Sequence, residues 1–168
     1  MKIALVCPYD ISYFGGVQNH VMQFAQNARN AGHNVTVIAP TSRKVDYEGV
    51  VCIGRAVPVP IGTGTNSRLT FSFWKRGKLE DLLANGDFDV VHVHEPGAPI
   101  LGPLAVRYAD KEHSAIITTA HSNISSNAVT WLYSTLIRVF GIDKWMDRVD
   151  QKLAVSPAAR KTANHYLV

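Results

Sequence analysis

A chain of 168 residues with 46% hydrophobic and 18% charged content can bury one core and reads as a single domain of an ordinary globular protein. Its formal net charge of +4 admits an anionic ligand or surface without requiring one. No apolar run approaches the roughly 20 residues that cross a bilayer, and neither an internal repeat nor a low-complexity tract is present.

The first strand is Ile3 to Cys7, an apolar, partly β-branched run. A turn region from Pro8 to Gly16 hands it over to a helix whose apolar face is Val17, Val21, Phe24, Ala25 and Ala28. Gly15 and Gly16 stand at the junction. Paired glycines permit positive φ and close approach of a ligand to the main chain, and the first N–H groups of the helix favour an anion there. A tight turn without a ligand explains the pair equally well. The helix is expected to end near Gly32, with Arg29 in its last turn.

A second strand runs from Val35 to Pro40, and a third, shorter one from Val50 to Ile53 is closed by Gly54. Arg55 to Ser67 carries Pro58, Pro60, Gly62 and Gly64 and is expected to be a surface loop. Phe71 to Asn85 reads as a helix with Ser72 as N-cap. There Lys75, Arg76 and Lys78 cluster with Phe71, Phe73 and Trp74. Such a group can sit on an anionic bilayer, or it is a solvated helix face whose aromatics enter the core. Strands follow at Phe88–Val93, Ser114–Thr119 and Gln151–Val155. Helices follow at Pro99–Ala109 and Asn127–Phe140, with a helical piece at Ile142–Asp150. A last helix, Ala158–Leu167, has Ser156 as N-cap and Pro157 at its first position.

This alternation predicts an α/β fold: a doubly wound, mostly parallel, Rossmann-like sheet with helices on both faces. Ligands of such sheets bind beyond the carboxyl ends of the strands. Gly15-Gly16-Val17-Gln18, His94-Glu95 and His121-Ser122 all fall there. His121 suits a ligand hydroxyl or phosphate, or it bonds only to backbone. Gln18 and Asn19 reach the crevice or form an exposed first turn. Arg68 clamps a phosphate or is an unpaired surface arginine. His92, His94 and Glu95 raise a metal site, but no third ligand stands at a convincing spacing and none is expected. His92 should pack under the crevice, with His94 or Glu95 at its border. Cys7 and Cys52 lie in apolar runs, as buried reduced thiols of a cytoplasmic protein would. Only five apolar residues separate Met1-Lys2 from Pro8, so no secretory signal is expected. GxSxG, GxxxxGKS/T, CxxC and GxGxxG are missing. That argues against α/β-hydrolases, P-loop NTPases, thioredoxin-like proteins and nucleotide-dependent dehydrogenases or epimerases. Nucleic-acid modules find no support either.

KIALVCPYD, GGVQNHV, AGHNVTVIAP, IGRAVPVP, GDFDVVHVHEP and TTAHS together resemble the N-terminal half of a retaining glycosyltransferase of the GT-B fold, in family 4. They are most similar to the phosphatidylinositol mannosyltransferases of actinobacteria, from Lys2 to about Arg160. The resemblance implies transfer of a sugar, mannose in those enzymes, from a sugar nucleotide such as GDP-mannose to a lipid or inositol-phosphate acceptor, with retention and without a metal. It implies that Gly15 and Gly16 lie against the diphosphate and that His121 lines the reaction centre. Tyr9, Gln18, Arg68 and Ser122 then face the acceptor, and Trp74, Lys75, Arg76 and Lys78 touch the inner face of the cell membrane. The chain departs from the family at Gly97, where asparagine is usual, in the SNISSN segment, and in the loop from Ile61 to Ser67. The family also implies a C-terminal nucleotide-sugar domain outside these residues, so the chain is expected to be a fragment, inactive alone. A stand-alone α/β module that binds a ligand without chemistry is the alternative.

Overall fold

The computed structural model describes residues 1–61, 65–123, 135 and 143–166. In chain order the elements are β1 (Lys2–Val6), α1 (Gly16–Asn30), β2 (Asn34–Thr41), β3 (Val50–Ile61), β4 (Thr65–Thr70), a 3₁₀ turn (Phe73–Lys75), α2 (Arg76–Ala84), β5 (Val90–His94), α3 (Leu101–Tyr108), β6 (Ala115–Ala120), a 3₁₀ segment (Asp143–Arg148), β7 (Gln151–Ala154) and α4 (Pro157–Tyr166). The helix expected at Asn127–Phe140 lies outside the described residues.

The strands form one seven-stranded sheet in the order β4-β3-β2-β1-β5-β6-β7. Every neighbouring pair is parallel except β3 with β4. Alternation along β1 divides the core. Ile3, Leu5 and Cys7 pack with Val21 and Ala25 of α1, whereas Ala4 and Val6 pack with Leu79 and Leu83 of α2 and with α3. Both faces of β1 are therefore buried, which is why its sequence is a continuous apolar run. A buried leucine or valine stabilises the fold by about 1.5–3 kcal/mol, so helices on both faces are held by these contacts.

Helix ends follow their signals. Gly32 takes φ +83° after α1, the left-handed conformation that ends a helix at little cost to glycine. The Arg29 guanidinium donates to Val35 O at 2.8 Å and ties that end to β2. At α4 the Ser156 hydroxyl accepts from the Ala159 N–H at 3.1 Å, the expected cap.

Two expectations need correction. The described residues of Arg55–Ser67 are strand and not loop: β3 continues to Ile61 and pairs antiparallel with β4, Ala56 opposite Thr70 and Pro58 opposite Arg68. Pairing with β2 ends at Arg55, so beyond it the strand has β4 alone. A strand paired on one side needs a donor at every second residue, and Pro58 and Pro60 fall in the same phase. Second, Phe71–Asn85 is not one helix but a 3₁₀ turn followed by α2. Ser72 does not cap it; its hydroxyl instead accepts from the Arg55 N–H at 3.0 Å. The helical piece expected from Ile142 to Asp150 is a 3₁₀ segment over Asp143–Arg148.

Candidate functional site

From β1 the chain builds outward through β2 to β4, then returns to the other side of β1 with β5 and builds outward to β7. The reversal lies between β1 and β5. The crevice beyond their carboxyl ends is the place where open α/β sheets bind ligands. The segment after β1, the His94-Glu95 end of β5 and the His121-Ser122 segment after β6 meet there.

Glu95 organises the meeting. It is 4% exposed, and its Oε2 accepts from the backbone N–H groups of His121 at 3.1 Å and Ser122 at 2.9 Å and from the Ser122 hydroxyl at 2.8 Å. Its φ of +50° is left-handed, a strain of roughly 1–3 kcal/mol for a side-chain-bearing residue that persists only where the surroundings fix it. Tyr9 stands beside this group. Burial raises its phenol above the ordinary value, with the Glu95 charge adding to the rise and the Ser122 hydroxyl opposing it.

Histidines fill the centre. His94 is fully buried, with Nδ1 3.0 Å from His121 Nε2. His92 packs beneath it, rings stacked at 4.3 Å, with Nε2 2.7 Å from Thr119 Oγ1. His20 of α1 meets His94 and His121 edge-on at 5.5 and 5.1 Å. Burial, reinforced by the neighbouring histidines, lowers His94 to about 2 and His92 to about 4. Burial and then His20 lower His121 to about 4. At pH 7 these three rings are neutral hydrogen-bonding groups. His94 Nε2 is buried with no partner among the described residues, an omission that costs on the order of 1–3 kcal/mol.

The glycine pair makes no use of the positive φ it permits. Gly15 is extended, φ −166°, and neither it nor Gly16 has positive φ. A Cβ on Gly15 would lie 2.4 Å from Gln18 Oε1, so the missing side chain makes room for Gln18. The Gln18 side chain folds back and donates to Asp10 O at 3.3 Å; Asn19 is exposed. Gly16 has nothing within 4 Å of a built Cβ. It opens α1, whose first turn has no acidic residue and no side-chain cap.

Arg68 is neither unpaired nor wholly free. Its Nε donates to Asp10 Oδ2 at 2.9 Å, and the segment is held by a bridge between Tyr9 and Leu69. Asp10 is buried and also accepts from Ser12 and Ser42. Burial raises its pKa, but the hydrogen bonds from Ser12, Ser42 and Arg68 outweigh that and hold it below the ordinary carboxylate value. The Arg68 and Arg43 guanidinium groups lie 4.3 and 4.4 Å from the Tyr13 ring, and Arg43 donates to Tyr13 Oη at 2.6 Å. Gln18 and Arg68 thus meet at Asp10, beside Tyr9, and the Tyr9 phenol is hydrogen-bonded to Ser122.

The aromatics before α2 do not enter the core: Phe71, Phe73 and Trp74 are 46%, 48% and 75% exposed. Lys75, Arg76 and Lys78 are exposed beside them. Among the described residues no helix is long and apolar enough to cross a membrane. Cys7 is buried and Cys52 half-buried, both as free thiols; burial raises Cys7 to about 12.

The family model for Glycosyltransferase Family 4 matches residues 14–168. The chain belongs to that family. This family 4 domain is 38% identical over 164 residues to a phosphatidyl-myo-inositol mannosyltransferase of Mycolicibacterium smegmatis, covering 96% of the chain and 40% of the relative. A protein of the same name from Mycobacterium leprae is 37% identical over 162 residues, covering 96% and 41%. The domain thus spans about two-fifths of the length of these curated relatives. Among solved structures, sucrose-phosphate synthase from Thermosynechococcus elongatus superposes with a TM-score of 0.64 at 13% identity, covering 99% of the domain and 45% of that chain. An alpha-glucosyltransferase solved with UDP and DNA gives 0.54 at 12%, covering 92% and 37%. These neighbours bear out the Rossmann-like, GT-B half expected from the sequence.

Three residues of the family 4 domain's site escaped sequence reasoning. Asp10 follows Tyr9 directly and Arg43 follows β2, but only the β3–β4 hairpin brings Arg68 to them. His20 is one turn after Gly16, a spacing that puts both on one side of α1 and could have flagged it.

Proposed function

We propose that the domain is the acceptor-side half of a retaining glycosyltransferase. It moves a sugar, mannose by analogy with its named relatives, from a nucleotide such as GDP-mannose to an inositol-phosphate or lipid acceptor, without a metal in the reaction. The observation that carries this reading is the joining of His121, Ser122, Tyr9 and Glu95 into one hydrogen-bonded group at the switch point of the sheet. In the reaction the bond from the anomeric carbon to the diphosphate oxygen breaks. A bond from that carbon to an acceptor hydroxyl forms, and the hydroxyl proton leaves with the diphosphate. A neutral His121 orients sugar hydroxyls in the crevice and does not serve as counter-ion to the diphosphate. That task falls to the uncapped start of α1 at Gly16, where N–H groups and the helix dipole favour negative charge. Tyr9, Gln18 and Arg68 serve the acceptor. The exposed aromatics with Lys75, Arg76 and Lys78 rest on an anionic membrane at the cytoplasmic face.

The test extends the chain to the length of its relatives and supplies GDP-mannose or UDP-sugars with inositol-containing acceptors. Transfer from one of them is expected, with the 168-residue chain inactive alone. His121→Ala should lower kcat about 100-fold with folding intact. Failure of every donor, or an unchanged rate in His121→Ala, overturns the assignment.

A further inference from the structure

Three histidines from three elements converge at the mouth of the crevice. His20 from α1, His94 at the end of β5 and His121 after β6 each place one ring nitrogen within 4.8 Å of the others. We propose that His20, His94 and His121 form a binding site for one divalent ion of the zinc class.

Geometry comes first. His94 Nδ1 and His121 Nε2 stand 3.0 Å apart and share a single proton. Two nitrogens bound tetrahedrally at about 2.0–2.1 Å from zinc lie about 3.3–3.4 Å from each other. Exchanging the proton for the ion therefore parts the rings by only a few tenths of an ångström. His20 is exposed and can close on the ion by a rotamer adjustment. Its exposure also leaves an entry path and an open fourth position for water.

Supporting contacts are already built. His92 stacks on His94 and is itself held by Thr119. Glu95 fixes the backbone of His121 through its N–H. These contacts hold the His94 ring and the His121 backbone in place before an ion arrives. His94 Nε2, which faces away from an ion held on Nδ1, is buried with no partner among the described residues and adds no such support. Three imidazoles select zinc, cobalt, nickel or copper over magnesium or calcium, which prefer oxygen.

The experiment titrates the 168-residue chain with Zn²⁺ by calorimetry and with Co²⁺ by visible absorption, in buffer free of chelators. One ion per chain is expected, with tetrahedral cobalt bands. His20→Ala lies on an exposed helix face, and its fold is checked by circular dichroism. It should weaken binding at least about tenfold, while His113→Ala, remote and exposed, should leave it unchanged. No stoichiometric binding, or equal affinity in His20→Ala, overturns the proposal. Neither readout measures sugar transfer, so a failed titration leaves the proposed activity standing; a bound ion would occupy the His121 ring that the metal-free reaction gives to the sugar, and would oppose transfer.

Discussion

Removing the Glu95 carboxylate should loosen the His121-Ser122 segment more than any other single change in the crevice. In Glu95→Ala the N–H groups of His121 and Ser122 and the Ser122 hydroxyl lose their shared acceptor. A buried donor left bare costs roughly 1–3 kcal/mol. Partial relaxation of the segment brings the expected total to about 3–5 kcal/mol. Alanine also inherits the left-handed φ of +50°. Glycine does not suffer there, so Glu95→Gly should be less damaging than Glu95→Ala by about 1 kcal/mol. Glu95→Gln keeps an acceptor but not the charge, and should lose about 1–2 kcal/mol. Urea unfolding of the chain at pH 7.5 measures all three, and amide exchange at His121 and Ser122 reads the segment directly. The expected order of stability is wild type, Gln, Gly, Ala. An alanine variant within about 0.5 kcal/mol of wild type, the range of an ordinary surface change, would refute the role assigned to the carboxylate. A glycine variant no better than alanine would refute the strain.

Acid should destabilise the fold well above the carboxylate range. His92 and His94 are held below the ordinary histidine value of 6.5, so the unfolded chain binds protons that the folded chain refuses. Stability is complete above 6.5 and falls as pH drops toward about 4; by pH 5 each of these two buried rings should have forfeited about 2 kcal/mol. A denaturation midpoint equal at pH 7.5 and pH 5 would contradict this. Replacing Lys75, Arg76 and Lys78 with Gln should weaken binding to anionic vesicles about 100-fold, at about 1 kcal/mol per charge. Equal binding of the wild-type chain to neutral and anionic vesicles in flotation would exclude the membrane role. Leu83→Ala, under α2 in the core, should cost about 2–5 kcal/mol in the same urea assay, and a loss below 1 would mean that α2 is not packed as described.

What the sequence shows of this fold is what depends on neighbours along the chain. A buried parallel strand must be apolar on both faces, and Ile3 to Cys7 says so unaided. Ser156-Pro157 and Gly32 mark helix ends because capping is local. The β3–β4 hairpin is hidden because proline reads as a strand breaker unless one knows that the strand has a partner on one side alone. The aromatic run before α2 is hidden for a related reason. Apolar spacing shows that Phe73 and Trp74 could face a core, but not that the chain enters α2 through a 3₁₀ turn that leaves them outside. At the site, position at strand ends singled out His121 and Glu95, and the place after the Pro/Gly stretch singled out Arg68. Their partners could not be read, because Glu95 to His121 and Arg68 to Asp10 are 26 and 58 residues apart.

A carboxylate already holds Arg68 in the Asp10–Arg68 pair, a point that would count against an acceptor phosphate if the whole guanidinium were engaged. The atoms engaged argue the opposite. Arg68 spends only Nε on Asp10, and its terminal nitrogens have no hydrogen-bond partner among the described residues. A guanidinium binds phosphate bidentately through such paired N–H groups, so the ion pair fixes the side chain and leaves its fork unspent. Asp10 in turn does not depend on Arg68 alone, because Ser12 and Ser42 supply further donors. Arg43, stacked on the other contact of Tyr13, adds a second cation to a patch with one buried carboxylate. The local balance stays positive, and an anion arriving at this edge meets a clamp oriented before it binds, which lowers the entropy lost on association.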